Sequence, residues 1–358
     1  MAHCLEALNQ ACKDKRPLRL TGGASKLGAH VGNDDYSQLS LAEFSGVINY
    51  EPSELFITAM AGTSLREITD LLAEQGQRPA CDAPILPGAT LGGTLATNAA
   101  GSAAHSRGRV RDAVLGLEMV NGLGRPLRFG GELMKNVAGF DIARLNCGAY
   151  GRLGPIVAAT LRVQSLPGES VALMGPECNA TEALGWILAN SHCNGVAAAS
   201  WYNTRLLTML EGTSTQLDAL YKKFSNWEET DPNQGPWQVL AHQNIDKLVD
   251  NHDLVVRMSC LPHTPIDCLP DNLPVGIDQG GALRWYRLNT SPYLKLQLRG
   301  VFRDLASQGI HLARHTHPHM PLSNLVAVDK PLADLQRRVL AAFDPHGLCN
   351  PDLNWYGL

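Results

Sequence analysis

The chain is 358 residues long, 44% apolar, with 30 Lys and Arg against 34 Asp and Glu and a net charge of −4. That length exceeds one ordinary core and suits two domains, while the near-balanced charge, with no Lys/Arg run, leaves no electrostatic footprint for nucleic acid and no polybasic membrane anchor. Nine cysteines without a C-x-x-C pair fit neither a zinc nor an iron–sulfur ligand pattern and read as reduced thiols of a cytoplasmic protein.

At the N-terminus, Leu5, Leu8 and Cys12 lie at helical spacing and a charge comes too early for a secretory leader. No window reaches the length of a membrane span, so direct membrane insertion is not expected. Pro17 to Thr21 reads as a strand running into Gly22-Gly23-Ala24-Ser25-Lys26-Leu27-Gly28. Backbone amides of Gly22 to Ser25 suit a nest around a pyrophosphate, with the Ser25 hydroxyl and Lys26 nearby; a polar turn is the alternative. Neither the G-x-x-x-x-G-K-[ST] spacing nor a G-x-G-x-x-G after a strand is present, which argues against P-loop and Rossmann folds.

Leu55 to Ala80 reads as strand, helix, strand. Ser64-Leu65-Arg66-Glu67 fits a capping box, Leu65, Ile68, Leu71 and Leu72 form the buried face, and Gly76 sits where a left-handed residue stops the helix. Ala83 to Ser106 then carries no Asp, Glu, Lys or Arg and four glycines. Such a run either binds a ligand with its backbone or packs as a close turn. Pro84 and Pro87 forbid regular helix before Gly88, and Thr90 is the expected N-cap of a short helix to about Asn98. The amides of Leu91 to Gly93 would then face a ligand.

Val114 to Val120 and Pro126 to Phe129 read as a hairpin around Asn121-Gly122-Leu123-Gly124, ended by Gly130-Gly131. Lys135 to Asp141 leads through a short helix to a second backbone-rich turn, Gly148 to Gly154, and a strand from Ile156 to Val163. Leu166 to Glu169 looks like a domain boundary. From Ser170 to about Val328 the pattern is that of alternating strands and helices, with five of the six tryptophans. Pro331 to Phe343 is an amphipathic helix with Leu332, Leu335, Val339 and Ala342 on one face, followed by Asp344-Pro345-His346-Gly347-Leu348-Cys349-Asn350-Pro351.

Five of these pieces, in order, resemble the FAD-binding domain shared by vanillyl-alcohol oxidase and p-cresol methylhydroxylase (PCMH): G-G-A-S-K (22–26), P-G-A-T-L-G-G-T-L-A-T-N-A-A-G (87–101), R-V-R-D-A-V-L-G (109–116), G-A-Y-G-R-L-G-P-I (148–156) and F-D-P-H-G-L-C-N-P (343–351). More narrowly, L-R-F-G-G-E-L-M-K-N-V-A-G-F-D-I-A-R-L (127–145), G-G-A-L-R-W (280–285) and the C-terminal helix resemble the smaller FAD-binding subunit of bacterial glycolate oxidase. The implied fold is α+β: a two-part PCMH-type FAD-binding domain over 1–168, then a smaller α+β cap domain over 169–358, with residues 330–358 packing back on the FAD domain.

The resemblance implies that Gly22, Gly23, Ala24, Ser25 and Lys26, with Pro87, Gly88, Ala89, Thr90, Gly92, Gly93 and Thr94, hold the FAD pyrophosphate. It places Asn98, Gly101, Arg109 and Asp112 along the flavin or ribityl chain, Gly151, Gly154 and Ile156 at the adenine–ribose end, and Asn350 at the isoalloxazine edge. His30, Cys81 and His105 flank the loops at offsets wrong for covalent attachment, so the FAD is expected to be non-covalent. It further implies a complex with a larger flavin subunit and an iron–sulfur subunit, peripheral to the inner membrane through those partners, acting on a small 2-hydroxy acid.

Oxidising such an acid needs a flavin, a base and a cation for the carboxylate. Related dehydrogenases carry a C-terminal G-H-x-G-D-G-N-x-H segment that is missing here. The nearest candidates are His315 and His317 in Arg314-His315-Thr316-His317-Pro318-His319, with Arg284, Lys135 and Arg144 as carboxylate or cofactor contacts; no metal is expected. The departure assigns the hydroxy-acid site to the larger sister subunit. Three alternatives stand beside this: a self-sufficient flavoenzyme, a cofactor-free assembly subunit and, most distant, a nucleotide hydrolase.

Overall fold

In the computed structural model the described residues are 2–14, 16–25, 35–132, 141–232, 234–242, 254–269, 273–288, 305, 310–316 and 330–353. They form two compact units, one of Met1–Ala100, Gly108–Leu166 and Asp334–Leu353, the other of Gly101–Arg107 and Pro167–Ala333.

The first unit begins with a parallel pair, β1 (Leu18–Thr21) and β2 (Ser37–Ser40). Its main sheet uses β3 (Val47–Glu51), β4 (Phe56–Met60), β5 (Gln77–Pro79), β6 (Val114–Val120), β7 (Pro126–Gly130) and β8 (Ile156–Ser165). The order is β3-β4-β8-β6-β7, all antiparallel, with β5 paired to the far end of β8. β8 is central, and its I-V-A-A-T-L run is buried throughout, as a strand covered on both faces requires. The hairpin β6–β7 forms as its turn residues dictate, with Asn121 Oδ1 accepting from the Leu123 and Arg125 amides at 3.1 and 2.9 Å.

Helix Leu65–Ala73 covers this sheet with Leu65, Ile68 and Leu72 buried and Leu71 half-buried, and Gly76 follows it at φ +64°. Its expected capping box is not formed. Ser64 takes an extended N-cap conformation without a side-chain bond, because it is held instead in an antiparallel bridge with Thr90. The last helix, Lys330–Phe343, also departs from expectation. Val339, Leu340 and Phe343 pack on the first core, with Phe343 6.4 Å from Phe129, whereas Leu332 and Leu335 are 42% and 49% exposed and Ala342 is exposed. The face that packs is rotated from the one with the most leucines, because Leu340 and Phe343 reach the sheet where the smaller Ala342 does not.

The second unit is an eight-stranded antiparallel sheet of β9 (Glu169–Glu177), β10 (Val196–Tyr202), β11 (Arg205–Gly212), β12 (Glu228–Thr230), β13 (Leu254–Ser259), β14 (Pro274–Asp278), β15 (Leu283–Leu288) and β16 (His311–Thr316). Its order is β12-β9-β11-β10-β14-β15-β13-β16. Helix Ala180–Asn190 packs on it behind a complete capping box, Asn179 and Glu182 exchanging two 3.0 Å bonds, and its Trp186 packs against Phe224 and Trp227. Gly101–Arg107, the end of the uncharged run, belongs to this unit. Ser106 Oγ donates to the Ala197 carbonyl at 2.6 Å, and Arg107 pairs with Glu211.

Candidate functional site

A cleft of about 670 Å³, counting its open mouth, lies in the first unit. That is the size range of small-molecule sites. One wall is the end of β1 and the loop Gly22–Ser25; a second is helix Leu91–Thr97 through Gly92, Gly93, Ala96 and Thr97; a third is the turn of Tyr150, Gly151, Gly154, Pro155 and Ile156; Asn350 joins from the C-terminal tail. Leu20, Leu41 and Ala61 supply an apolar floor. Among the described residues none of the lining side chains carries a charge.

The two Gly-rich segments meet backbone to backbone. A Cβ on Gly22 would fall 2.5 Å from Thr90 Oγ1, and one on Gly23 would fall 1.7 Å from the Gly88 carbonyl oxygen. Only glycine allows that approach. Thr90 caps the helix as expected, its Oγ1 accepting from the Gly93 amide at 3.2 Å. At the other end the helix finishes on Asn98 at φ +47°, and the Gly148 and Tyr150 amides cap the Leu95 and Ala96 carbonyls at 3.0 and 2.8 Å.

Where the free donors sit corrects one expectation. The Leu91 amide donates to the Thr63 carbonyl at 2.9 Å and the Gly92 amide to the Ala61 carbonyl at 2.7 Å, so the helix N-terminus is spent inside the protein. By contrast, the amides of Gly22, Gly23, Ala24 and Ser25 donate to no acceptor among the described residues. The anion-binding capacity is therefore in the loop after β1, where Ala24 turns through φ +52°.

Of the residues expected at the cofactor, Gly22, Gly23, Ala24, Ser25, Thr90, Gly92, Gly93, Gly151, Gly154, Ile156 and Asn350 line this cleft. Gly88 touches the loop at Gly23 without lining the cleft, Pro87 is exposed, and Ala89 and Thr94 are buried. Asp112 Oδ2 accepts from the Arg109 amide at 3.0 Å, closing the short helix Val110–Ala113, and neither lines the cleft. Asn98 lies outside it too, with Oδ1 buried and without a hydrogen bond. Gly101 is in the second unit, and Lys26, His30, Lys135 and His317 lie outside the described residues. The lining residues missed are Leu20, Leu41 and Ala61 of the apolar floor, Thr21, Ala96 and Thr97 of the first two walls, and Tyr150 and Pro155 of the turn. Only their sequence nearness to the glycines could have signalled them.

Asn350 and Gly151 were expected at opposite ends of the dinucleotide. They touch: a Cβ on Gly151 would sit 3.0 Å from Asn350 Nδ2. One site serves both, so the two placements cannot hold together.

Arg284, a candidate for the substrate carboxylate, is fully buried. Its guanidinium donates to the carbonyls of Gly281, Pro262, Thr264 and Pro265 at 2.6–3.3 Å. It holds the loop before β14. His315 lies on β16, with its side chain outside the described set, and Arg144 is half-exposed beside Asp141 at 3.1 Å. Burial, with Asp82 adding to it, pushes the Cys81 thiol up to about 12, and burial likewise pushes Cys147 up to about 12, so neither is a ready nucleophile. Among the described residues no group of three His, Cys, Asp or Glu could hold a metal, and no helix is long and apolar enough to cross a membrane.

A family model described as an FAD binding domain matches residues 1–130. Glycolate oxidase subunit GlcE of Escherichia coli is 33% identical over 353 residues, covering 97% of this chain and 95% of that protein. The chain belongs to the GlcE family of glycolate oxidase subunits. It is an FAD-dependent oxidoreductase subunit of the glycolate oxidase type. A D-2-hydroxyglutarate dehydrogenase of Xanthomonas citri pv. viticola is 32% identical over 155 residues, 43% of this chain and 33% of that protein. Alkyldihydroxyacetonephosphate synthase matches in structure with a TM-score of 0.68 at 14% identity, over 98% of this chain and 74% of that one, which shows the shared PCMH-type α+β fold. The cleft fits the cofactor: glycine backbone, free loop amides and uncharged side chains suit a pyrophosphate approached closely by main chain.

Proposed function

We propose that this chain holds a non-covalent FAD in the cleft of its first unit and works as the smaller flavin subunit of a complex that oxidises glycolate to glyoxylate. The observation that carries the reading is the row of amides at Gly22 to Ser25 that donate to no acceptor among the described residues, in a chain alike over 97% of its length to a glycolate oxidase subunit. Gly22 to Ser25 bind the pyrophosphate; Thr90, Gly93 and Thr97 orient it from the helix side; Gly151, Gly154, Ile156 and Leu41 exclude water from the apolar floor. When bound, the flavin supplies hydride-accepting chemistry. Among the described residues no lining side chain is a His, Asp, Glu, Lys or Arg, which favours a role in holding the cofactor.

The base is accordingly assigned to a larger flavin subunit, and the two electrons removed from each glycolate pass to an iron–sulfur subunit. The complex is cytoplasmic and peripheral to the inner membrane through those partners. The first unit serves as the FAD-binding domain, with Asp334–Leu353 returned to it, and the second unit as the cap domain, to which Gly101–Arg107 of the expected 1–168 segment belongs.

The test is an anaerobic titration with glycolate or D-lactate of the isolated chain beside the co-expressed complex, read from the flavin spectrum. Bleaching only in the complex supports the division of labour. Bleaching of the isolated chain overturns it and favours a self-sufficient enzyme; a colourless chain that assembles normally leaves only an assembly role. Yellow colour left in an acid-precipitated pellet excludes the non-covalent link.

A further inference from the structure

The C-terminal tail is built into the cleft. Leu348 to Asn350 runs parallel to β1 on the side away from β2: the Leu18 amide donates to the Leu348 carbonyl at 2.7 Å, the Asn350 amide to the Leu18 carbonyl at 3.0 Å, and Leu18 bridges Cys349. Asp344 Oδ2 accepts from the Cys349 amide at 2.7 Å, and Arg19, almost fully buried, pairs with Asp352. Backbone pairing alone would hold this tail. Asn350 adds something different.

Asn350 takes a left-handed backbone, φ +46°, and its carboxamide lies between β1 and the Tyr150–Gly151 turn. Oδ1 accepts from the Leu20 amide at 2.8 Å, and Nδ2 donates to the Tyr150 carbonyl at 2.8 Å. Leu20 is two residues before the Gly22–Ser25 loop, and Tyr150 opens the adjoining turn, where a Cβ on Gly151 would lie 3.4 Å from Leu20 Cδ1. One planar amide thus bonds to both walls, and its two ends need an acceptor and a donor at once, which among side chains of this length only Asn supplies. We infer that Asn350 is a positioning residue that clasps β1 to the Tyr150–Gly151 turn and fixes this corner of the cleft, so that docking of the C-terminal tail and binding of FAD are coupled. The inference rests on the proposed seat of FAD in this cleft. Linkage makes the coupling reciprocal: bound FAD tightens the tail, and a released tail weakens FAD.

The test uses the full chain with FAD itself. Asn350→Gly keeps the left-handed backbone and removes both bonds. Expected results are an FAD dissociation constant raised at least 10-fold, faster amide exchange at Leu20 in the variant with or without FAD, and, in the wild type, slower exchange at Leu20 and Asn350 when FAD is added. Wild-type affinity in Asn350→Gly, or an unchanged Leu20 exchange rate in the cofactor-free variant, overturns the clasp; the latter outcome would make Asn350 a direct cofactor contact. If Asn350→Gly does not fold, the wild-type exchange with and without FAD decides, and no slowing at Leu20 and Asn350 overturns it. Gly23→Ala separates the two readings: FAD retained in Gly23→Ala removes the seat itself, whereas FAD lost there but kept in Asn350→Gly removes only the clasp.

Discussion

Gly23 and Gly88 touch through their main chains, so closely that a Cβ on Gly23 would lie 1.7 Å from the Gly88 carbonyl oxygen. The contact joins the two Gly-rich segments into one corner of the cleft. A methyl group there cannot be absorbed by a rotamer change, since the obstructing atom is backbone. Gly23→Ala is expected to displace the Gly22–Ser25 loop and weaken FAD at least ~10-fold, roughly 1.4 kcal/mol, while the sheet core stays folded. Gly131→Ala is the control, because nothing lies within 4 Å of a Cβ there and its backbone is unstrained. Flavin-to-protein ratio after gel filtration and fluorescence titration measure both.

Thr90 links helix capping to the cleft. Its Oγ1 accepts from the Gly93 amide at 3.2 Å and its side chain lines the site. Thr90→Val preserves shape but leaves that amide without its acceptor, at a cost of about 1 kcal/mol in stability, with weaker FAD binding as well. Thr90→Ser keeps the oxygen and should retain both properties, as judged by thermal unfolding and flavin titration. Equal behaviour of the Val and Ser variants would refute the capping role.

The sequence made the β1–loop–helix arrangement legible because glycine spacing, the Thr90 cap and the alternation of apolar residues are local signals. The hairpin β6–β7 and the central strand β8 were readable for the same reason. Which amides remain free was not, since the acceptors of the Leu91 and Gly92 amides, Thr63 and Ala61, come from a segment some thirty residues earlier. The clasp by Asn350 was hidden likewise, because Leu20 and Asn350 are 330 residues apart. Helix Lys330–Phe343 shows the limit of periodicity: the leucines marked an apolar stripe, and tertiary packing chose the neighbouring face.

Arg284 illustrates a buried charge whose work is structural. Four backbone carbonyls surround it, so Arg284→Met removes their donors and should lower stability by about 3 kcal/mol. Because these four carbonyls and the neighbouring Tyr286 all belong to the second unit, the folded fraction should keep its FAD affinity and, in the complex, its KM for glycolate. A raised KM with unchanged thermal stability would instead return Arg284 to substrate binding. Chemical denaturation and steady-state assays on the same preparation separate the outcomes.

His105 gives the second unit a pH dependence with a definite sign. Its ring is held among Ser102, Ser191, His192, Asp278 and Gly280, with Nδ1 3.3 Å from the Ser102 carbonyl and Nε2 buried. Burial lowers its pKa from the usual value, with His192 acting the same way; the Ser102 and Ser191 carbonyls and the Asp278 charge oppose this without reversing it. Between that lowered value and the ordinary one of about 6.5, the unfolded chain binds more protons than the folded chain. Stability therefore rises with pH across that window: the contribution is complete above the unfolded pKa and is lost as the pH falls toward the folded one. Thermal unfolding of the wild type should weaken on acidification from pH 7.5 to 5.5 by more than that of His105→Gln, which removes the titration while keeping a polar side chain of similar reach. Parallel pH profiles for the two proteins would show that His105 takes no part in the acid sensitivity.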